Sequence, residues 1–153
     1  MNVDFTLAQQ EDLAILMTYM EAFHDFDHTE PFDRVAAEAA MRKVLLDKSI
    51  GRVWLIQQNA ETVGYIALTL AYRLEYRGYY AFLDELFIRE DKRGQGIGTA
   101  ALDFLEKACE QLGVACLQLE NKQDNERAGE LYIRLGFELQ DRWVFVEELP
   151  AKA

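Results

Sequence analysis

The spacing of apolar residues divides the first third of the chain into a short strand and two helices. Apolar and polar side chains alternate over Val3–Leu7, which is the period of a strand. From Glu11 the apolar residues recur every three or four positions, which predicts an amphipathic helix. This periodicity is lost over His24–Glu30, and a second helix is predicted from Val35 to about Lys48. The first elements therefore follow the order βαα.

Runs rich in β-branched and aromatic residues occupy the middle of the chain. Three consecutive strands are predicted, over Arg52–Gln57, Thr62–Ala71 and Tyr79–Ile88, with a turn at residues 59–61. Gly64 interrupts the second of these strands. A glycine inside a strand indicates a bulge or a close approach of another backbone.

The last part of the chain alternates between helical periodicity and short apolar runs. Helices are predicted over Thr99–Leu112 and Asn125–Leu135, each followed by a glycine, and strands over Val114–Leu119 and Trp143–Val146. The complete order, βααβββαβαβ, predicts an α/β fold with a mixed central sheet and flanking helices. Because no Gly/Ser-rich linker interrupts the 153 residues, we expect a single domain over residues 1–153.

Composition excludes several classes of protein. Half of the residues are apolar and 28% are charged, which is typical of globular domains and not of disordered chains. No apolar run has the length of a membrane-spanning helix, and the first ten residues do not resemble a secretory signal. Two cysteines, Cys109 and Cys116, are too few for a disulfide framework. We therefore expect a cytoplasmic protein with no membrane partner.

The charge of the chain limits its partners. Sixteen Lys and Arg against 27 Asp and Glu give a net charge of −11, which repels nucleic acid, so no nucleic-acid partner is expected. The stretch Glu21–Asp33 carries five acidic residues and no Lys or Arg. It forms either a solvated surface or an acidic rim that attracts a cationic small molecule or a lysine-bearing peptide. Charge alone leaves both interpretations open.

Two histidines within this stretch raise the question of a metal. His24 and His28 are four residues apart, with Asp25 and Asp27 between them. That spacing places two ligands on one side of a helix, but the segment does not show firm helical periodicity. The sequence therefore predicts no metal site.

A glycine-rich turn, Arg93–Gly98, connects a predicted strand to a predicted helix. Its three alternating glycines allow a sharp turn and a close approach of backbone to ligand. The N-terminus of the following helix offers N–H groups and a positive dipole end, and Arg89 and Lys92 add positive charge. A dinucleotide turn needs G-x-G-x-x-G and a P-loop needs Gly-Lys-Ser/Thr, and neither is present. The segment indicates a site for a pyrophosphate.

This turn resembles the R/Q-x-x-G-x-G/A acyl-CoA signature of the GNAT superfamily of N-acetyltransferases. Two further segments occur in the expected register. Asn125–Ala128 followed by Leu131–Phe137 is similar to the superfamily segment N-x-x-A…L-Y-x-x-x-G-F, and Phe82–Ile88 resembles its fourth strand. The close match covers Phe82–Phe137, and the order of elements agrees over the rest. The resemblance implies a single-domain GNAT-like fold.

The resemblance also implies a reaction, the direct attack of a primary amine on acetyl-CoA in a ternary complex. Tyr132 occupies the position of the tyrosine that protonates or stabilises the departing thiolate. A carboxylate would accept the proton of the amine. Asp84 is favoured for this role and Glu85 is a close second, because Asp84 falls where polyamine-acetylating relatives place a glutamate. Adjacent strand residues point to opposite faces, so only one of the two would face the cleft.

Cofactor contacts follow from the same resemblance. The backbone of Leu86, Phe87 and Ile88 would bind the pantetheine arm. The pyrophosphate would lie on Arg93, Gly94, Gln95, Gly96, Ile97, Gly98 and Thr99, and Asn125 would contact the cofactor from the other side. Asn121 departs from the pattern, since the family often has an apolar or small residue there.

The expected acceptor is a cationic small-molecule amine, and acetyl-CoA is the expected co-substrate, with no metal. Two alternatives stay open: acetylation of protein lysines or N-termini, and a non-catalytic acyl-CoA-binding regulatory module. Tyr132 and the two carboxylates favour an enzyme over the module. Many relatives pair as dimers, so a homodimer is compatible with the resemblance. The identity of the acceptor and the acyl-chain preference are not specified by the sequence.

Overall fold

A computed structural model describes residues 2–27 and 30–150, without the side chain of Asp27. The protein divides into two compact units, Met1–Leu119 and Glu120–Ala153. The first unit contains the sheet and three helices, and the second contains one helix followed by a non-helical segment. The single domain expected over 1–153 stays a prediction.

The helices and strands of the first unit follow the predicted order. They are β1 (Val3–Leu7), α1 (Leu13–Asp27), α2 (Arg34–Leu46), β2 (Gly51–Gln58), β3 (Glu61–Arg73), β4 (Gly78–Ile88), α3 (Ile97–Leu112) and β5 (Cys116–Gln118). The five strands form one sheet in the order β1-β2-β3-β4-β5. All neighbours are antiparallel except β4 and β5, which are parallel. The predicted mixed α/β fold is confirmed.

Helices cover both faces of this sheet. Val53 and Leu55 of β2 point to the face that packs against α1 and α2, where they belong to a buried apolar cluster. Trp54, between them, points to the opposite face because strand side chains alternate. There its ring meets the edge of Phe104 of α3, and Phe5 of β1 stacks on the same phenylalanine at 4.4 Å.

Helix α1 extends further than its periodicity predicts, and α2 begins at a capped residue. The helix continues through the non-periodic residues after His24 to Asp27. The Asp33 carboxylate accepts a hydrogen bond from the Ala36 N–H at 3.0 Å, which satisfies one of the free donors at the start of α2. Among the described residues, no helix combines the length and the apolar character needed to cross a membrane.

Strand β4 contains a β-bulge in its register with β3. Ala67 pairs with Glu85 and Leu68 pairs with Leu83, so Asp84 is the extra residue of the bulge. An extra residue shifts the alternation by one, so each side chain after it points to the face opposite the one it would otherwise occupy. Glu85 and Phe87 consequently lie on the α1 and α2 side of the sheet, the side to which Tyr65 and Ala67 point.

Both features that the sequence predicts at Gly64, a bulge and a close approach of another backbone, are present. The register between β2 and β3 shifts at Ile56 and Gln57, opposite Gly64 and Thr62. A β-carbon placed on Gly64 would lie 2.1 Å from the backbone oxygen of Phe87. The glycine therefore lets the backbones of β3 and β4 approach each other beside a bulge.

The ladder between β4 and β5 is short. It joins Tyr80–Phe82 to Cys116–Gln118 and ends there. Strand β5 is correspondingly shorter than the predicted Val114–Leu119. In the described part of the chain, the outer edge of β4 from Leu83 to Ile88 has no strand beside it.

The second unit contains α4 (Glu126–Arg134). Gly136, with φ at 101°, follows this helix, and the Phe137 N–H donates to the Tyr132 oxygen at 3.0 Å. A left-handed glycine of this kind reverses the chain at a helix end. The predicted stop at this glycine is confirmed.

The strand predicted over Trp143–Val146 is wrong. The described residues after 134 form no strand, and these four side chains are 74–93% exposed. Aromatic and β-branched residues favour extended backbone locally, but a strand also requires a partner for its hydrogen bonds. The observed order is therefore βααβββαβα.

We expect Gly64→Ala to lower the free energy of unfolding by about 1–3 kcal/mol, because the new methyl group meets backbone and not a movable side chain. Urea unfolding measures the change. Gly78→Ala is the matched control, since a β-carbon there lies 3.8 Å or more from its neighbours. Equal unfolding midpoints for the two variants would contradict the close approach at Gly64.

Candidate active site

A cavity of about 370 Å³ lies on the α1 and α2 side of the sheet, within the first unit. Apolar walls and acidic side chains form it together. It is lined by Met20, Phe23, His24, Glu30, Pro31, Phe32, Asp33, Ala37 and Glu85. Three of these residues are acidic and none is Lys or Arg. A largely apolar cavity with a few polar groups is the usual form of a small-molecule site.

Glu85 is the β4 residue that reaches this cavity. The bulge turns its half-buried side chain to the cavity face, and one carboxylate oxygen accepts a hydrogen bond from the Tyr65 hydroxyl at 3.1 Å. Asp84 is exposed and does not line the cavity. Burial, and secondarily the charge of Glu85, raise the pKa of Tyr65 far above its ordinary range, so its hydroxyl keeps its proton.

The acidic stretch contributes part of the cavity wall. Glu30 and Asp33 line the cavity, whereas Glu21 forms an ion pair with Arg34 at 3.6 Å. Asp25 is exposed and is not part of the lining. The side chain of Asp27 lies outside the described residues. Part of the stretch therefore lines the cavity, and part of it lies on the surrounding surface.

His24 is a wall residue of the cavity. Its Nε2 lies 2.6 Å from the backbone oxygen of Glu30, and its ring packs at 5.3 Å from the ring of Phe32. These contacts hold the segment before α2 against the end of α1. His28 lies outside the described residues. Among the residues that are described, no three His, Cys, Asp or Glu side chains are grouped so as to hold a metal ion.

The glycine-rich turn has the geometry of an anion site. Gly94 and Gly96 have φ at 74° and 83°. The Ala100 N–H donates to the Gly96 oxygen, so the N–H groups of Ile97, Gly98 and Thr99 precede the first hydrogen bond of α3. They form a cluster of donors at the positive end of the helix.

Ile97 and Gly98 show which side chains the packing of the fold requires at this turn. Ile97 is buried and anchors the start of α3 in the core. A β-carbon on Gly98 would lie 3.7 Å from the Ile88 side chain, an ordinary contact. The fold therefore does not require glycine at position 98, which leaves the approach of a ligand as a reason for it.

The polar side chains of the turn already have protein partners. Arg93 donates from Nε to the Ile88 oxygen at 2.8 Å, and its guanidinium lies 5.1 Å from the centre of the Phe26 ring. Gln95 accepts a hydrogen bond from Gln58 at 3.1 Å. Arg89 pairs with carboxylates on two sides. The side chains of the turn are therefore engaged within the protein, whereas its backbone N–H groups are collected at the start of α3.

The second unit holds the two remaining site residues. Asn125 caps α4 by accepting a hydrogen bond from the Ala128 N–H at 3.3 Å. Asn121 donates to the Asn125 backbone oxygen at 2.9 Å, and a β-carbon on Gly129 would lie 3.4 Å from the Asn121 amide. These contacts give the unusual Asn121 a structural role at the start of the helix. A cofactor contact by Asn125 stays a prediction.

Tyr132 lies on α4 and is half-buried. Its ring meets the edge of Phe137 with centroids 6.0 Å apart. Burial raises the pKa of Tyr132 above its ordinary value, which keeps the hydroxyl protonated and able to donate. The contact with Phe137 gives the tyrosine and the phenylalanine of the Leu-Tyr-Ile-Arg-Leu-Gly-Phe motif a shared packing role. The catalytic role of Tyr132 stays a prediction.

Sequence reasoning did not identify Tyr65 or the apolar residues of the cavity. Tyr65 lies in a strand of buried residues, where any tyrosine is first expected to pack. Its contact with Glu85 depends on strand register, which local sequence does not encode. The sequence predicts the apolar residues of α1 only as one side of an amphipathic helix and gives no sign that they line a cavity.

Comparison with known proteins identifies the family. The profile of the acetyltransferase (GNAT) family matches residues 14–137. The uncharacterized N-acetyltransferase YhfO of Bacillus subtilis is 25% identical over 146 residues, 95% of this chain and 97% of that protein. The aminoalkylphosphonate N-acetyltransferase of Salmonella typhimurium is 29% identical over 105 residues, 69% of this chain and 67% of that protein.

A solved structure agrees with these matches. An integron cassette protein from the mobile metagenome of Cole Harbour Salt Marsh is 34% identical, with a TM-score of 0.83 over 97% of this chain and 91% of that chain. Fold and sequence together define an acetyltransferase. The chain belongs to the acetyltransferase (GNAT) family, whose members are N-acetyltransferases that depend on acetyl-CoA, and the predicted enzyme class is confirmed.

Proposed function

We propose that the protein transfers the acetyl group of acetyl-CoA to a primary amine of a cationic small molecule, by direct attack in a ternary complex. One observation carries this proposal. Glu85 lines a cavity whose described lining contains three acidic residues and neither Lys nor Arg. Such a cavity attracts a cation and offers a base at the same place.

The base is needed because an amine attacks only when it is neutral. For a lysine-like amine with a pKa of about 10.4, deprotonation at pH 7 costs roughly 4–5 kcal/mol. A carboxylate beside the amine, directly or through water, can accept that proton during the attack. We assign this role to Glu85 in preference to Asp84, since Glu85 lines the cavity and Asp84 does not.

Acetyl-CoA would lie along the open edge of β4. The pantetheine arm would bind the backbone of Leu86, Phe87 and Ile88, where no strand is paired in the described chain. The pyrophosphate would lie on the N–H groups from Gly94 to Thr99, with the charge of Arg93 nearby. A backbone N–H at the end of β4 would donate to the oxyanion of the tetrahedral intermediate.

The departing thiolate needs a proton or a hydrogen bond. Tyr132, whose hydroxyl remains protonated, would supply it, and Asn125 would contact the cofactor. Every step of the reaction then has a group of this chain assigned to it, and no metal is needed for any of them.

The chemistry of the cavity favours a small cationic acceptor. Apolar walls from Met20, Phe23 and Phe32 suit a carbon skeleton, and the carboxylates of Glu30 and Asp33 suit a second positive charge. The relative from Salmonella typhimurium is named for aminoalkylphosphonates, which are small amines with an anionic group. That name supports a small acceptor, while the acidic lining favours a cation over a phosphonate.

Acetylation of protein lysines or N-termini is the second candidate function, since a lysine-bearing peptide is also cationic. It requires a groove long enough for a peptide, and a volume of about 370 Å³ is that of a small-molecule site. A cytoplasmic location and a homodimer belong to the proposal as expectations from the sequence.

A panel of amines tests the proposed acceptor, with the release of the free CoA thiol as the measurement. The panel contains diamines, polyamines, aminoglycoside-like amines, a basic peptide and an aminoalkylphosphonate. We expect the highest kcat/KM for a small amine with at least one further positive charge. Its KM should rise with salt, since exposed charges are screened over about 8–10 Å at physiological ionic strength. A best acceptor that is anionic apart from its amine, with a salt-independent KM, would contradict the proposal.

Two variants then test the base with the best acceptor. Glu85→Gln should lower kcat by about 10²–10⁴-fold and leave the affinity for acetyl-CoA unchanged. Asp84→Asn, one residue away on the exposed side of the bulge, should lower kcat far less. The opposite ranking would assign the base to Asp84.

Gly96→Ala should weaken the binding of acetyl-CoA at least about tenfold, because its methyl group occupies the approach of the pyrophosphate. Gly113→Ala is the matched control. The two glycines stand at opposite ends of α3 with φ at 83° and 72°, so both variants carry similar backbone strain. Calorimetric titration with acetyl-CoA compares them. Equal affinities would remove the turn from the cofactor site.

Tyr132→Phe should lower kcat by more than about tenfold with little change in the affinity for acetyl-CoA, as expected for a group that acts on the leaving thiolate. The variant keeps the ring that packs against Phe137, so the fold of the second unit is retained. Steady-state rates across pH measure the effect. An unchanged rate at every pH would show that Tyr132 only packs.

A further inference from the structure

A tyrosine beneath the cavity holds the carboxylate that lines it. Tyr65 is completely buried in β3, and its hydroxyl donates to Glu85 at 3.1 Å. Its ring stacks against Phe87 with centroids 6.1 Å apart, and Phe87 also contacts Tyr19. The donor is therefore fixed by packing before any substrate binds.

We infer that Tyr65 is a positioning residue for Glu85: its buried hydroxyl orients the carboxylate toward the cavity and keeps it ionised. This inference rests on the proposed function, in which Glu85 accepts the proton of the amine. Tyr65 itself does not line the cavity, so it acts on the reaction through Glu85.

The described surroundings of Glu85 give such a donor a clear effect. The cavity wall is largely apolar, and negative charges beside a carboxylate favour its protonated form. Those charges come from Asp84 on the same strand and from Glu30 and Asp33 across the cavity. A hydrogen bond donated to the carboxylate favours the ionised form and offsets both effects.

Tyr65 suits this task because its proton is held firmly. Burial and the neighbouring charge raise the pKa of the hydroxyl far above neutrality, so it donates throughout the working pH range. Serine or water could supply the same bond but would not be fixed by the packing of a ring. The bond also restricts the rotation of the Glu85 carboxylate, which a base requires in order to meet the amine.

The titratable groups that face Glu85 come from several elements. In the described part of the chain they are Asp84 beside it on β4, Tyr65 on β3, and the cavity-lining residues His24 on α1 and Glu30 and Asp33 before α2. All of them except Tyr65 are identical in the wild type and in a Tyr65→Phe variant. A difference in the titration of Glu85 between these two proteins therefore reports the Tyr65 hydroxyl.

The test compares Tyr65→Phe with Tyr19→Phe in the full-length protein. Tyr19 is a buried tyrosine of the same apolar cluster, but its hydroxyl donates to the Thr62 backbone oxygen at 2.6 Å. Carbon-13 NMR follows the side-chain carboxyl of Glu85, assigned by its loss in Glu85→Gln. We expect Tyr65→Phe to raise the pKa of Glu85 by about one unit and Tyr19→Phe to leave it unchanged.

Kinetics provide the second readout. A raised pKa means that the base is lost at a higher pH, so the acidic limb of kcat/KM should shift upward by the same amount in Tyr65→Phe. The rate at neutral pH should fall by about three- to tenfold because the carboxylate is no longer held in one orientation, with the KM for acetyl-CoA unchanged. In a Glu85→Gln background, Tyr65→Phe should have no further effect on kcat, because the group through which it acts is absent.

The outcomes separate this inference from the proposed function. An unchanged pKa of Glu85 in Tyr65→Phe overturns the positioning role, whatever the rates show. The positioning role is also overturned if Tyr65→Phe still lowers the rate in the Glu85→Gln background. A loss that does not depend on Glu85 would be a purely structural effect. A shifted pKa together with full activity of Glu85→Gln would instead refute Glu85 as the base, while the hydrogen bond itself would stand.

Discussion

The extra residue in β4 is the constraint on which the rest of the site depends. Without the bulge at Asp84, strict alternation would place Leu83, Glu85 and Phe87 on one face of the sheet. With it, Leu83 stays on the α3 face while Glu85 and Phe87 turn toward α1 and α2. One inserted residue thus brings a carboxylate to a cavity, an aromatic ring to the core beneath it, and a buried hydroxyl within hydrogen-bonding distance of that carboxylate.

The outer edge of β4 also changes in this region, from a paired edge to an open one. Up to Phe82 the outer edge pairs with β5, and beyond it the described chain leaves the edge open. Four residues after the open stretch comes the turn before α3, where backbone N–H groups are collected at a helix start. A strand edge and a helix end, both made of backbone, therefore follow each other along the chain. The proposed cofactor site would therefore need few side chains.

Local features of the sequence predicted most of the fold. Helical periods, most of the strand runs and the glycine turn at Arg93–Gly98 depend on neighbouring residues, and these have their counterparts in the structure. The strand at Trp143–Val146 failed because propensity does not supply a pairing partner. The choice between Asp84 and Glu85 could not be made either, since it depends on the register of β3 with β4. Tyr65, 20 residues from Glu85, was missed for the same reason.

Gly64 has a consequence for how this chain can evolve. Each single-nucleotide change in a glycine codon that alters the amino acid introduces a β-carbon or stops translation. At position 64 that atom meets the backbone oxygen of Phe87, whichever side chain is attached to it. Selection at this codon therefore acts on the presence of a β-carbon, whatever the polarity, charge or size of the rest of the side chain. The neighbouring codons of β3 can drift among similar apolar residues, whereas every amino-acid replacement at this codon brings the same contact with the backbone.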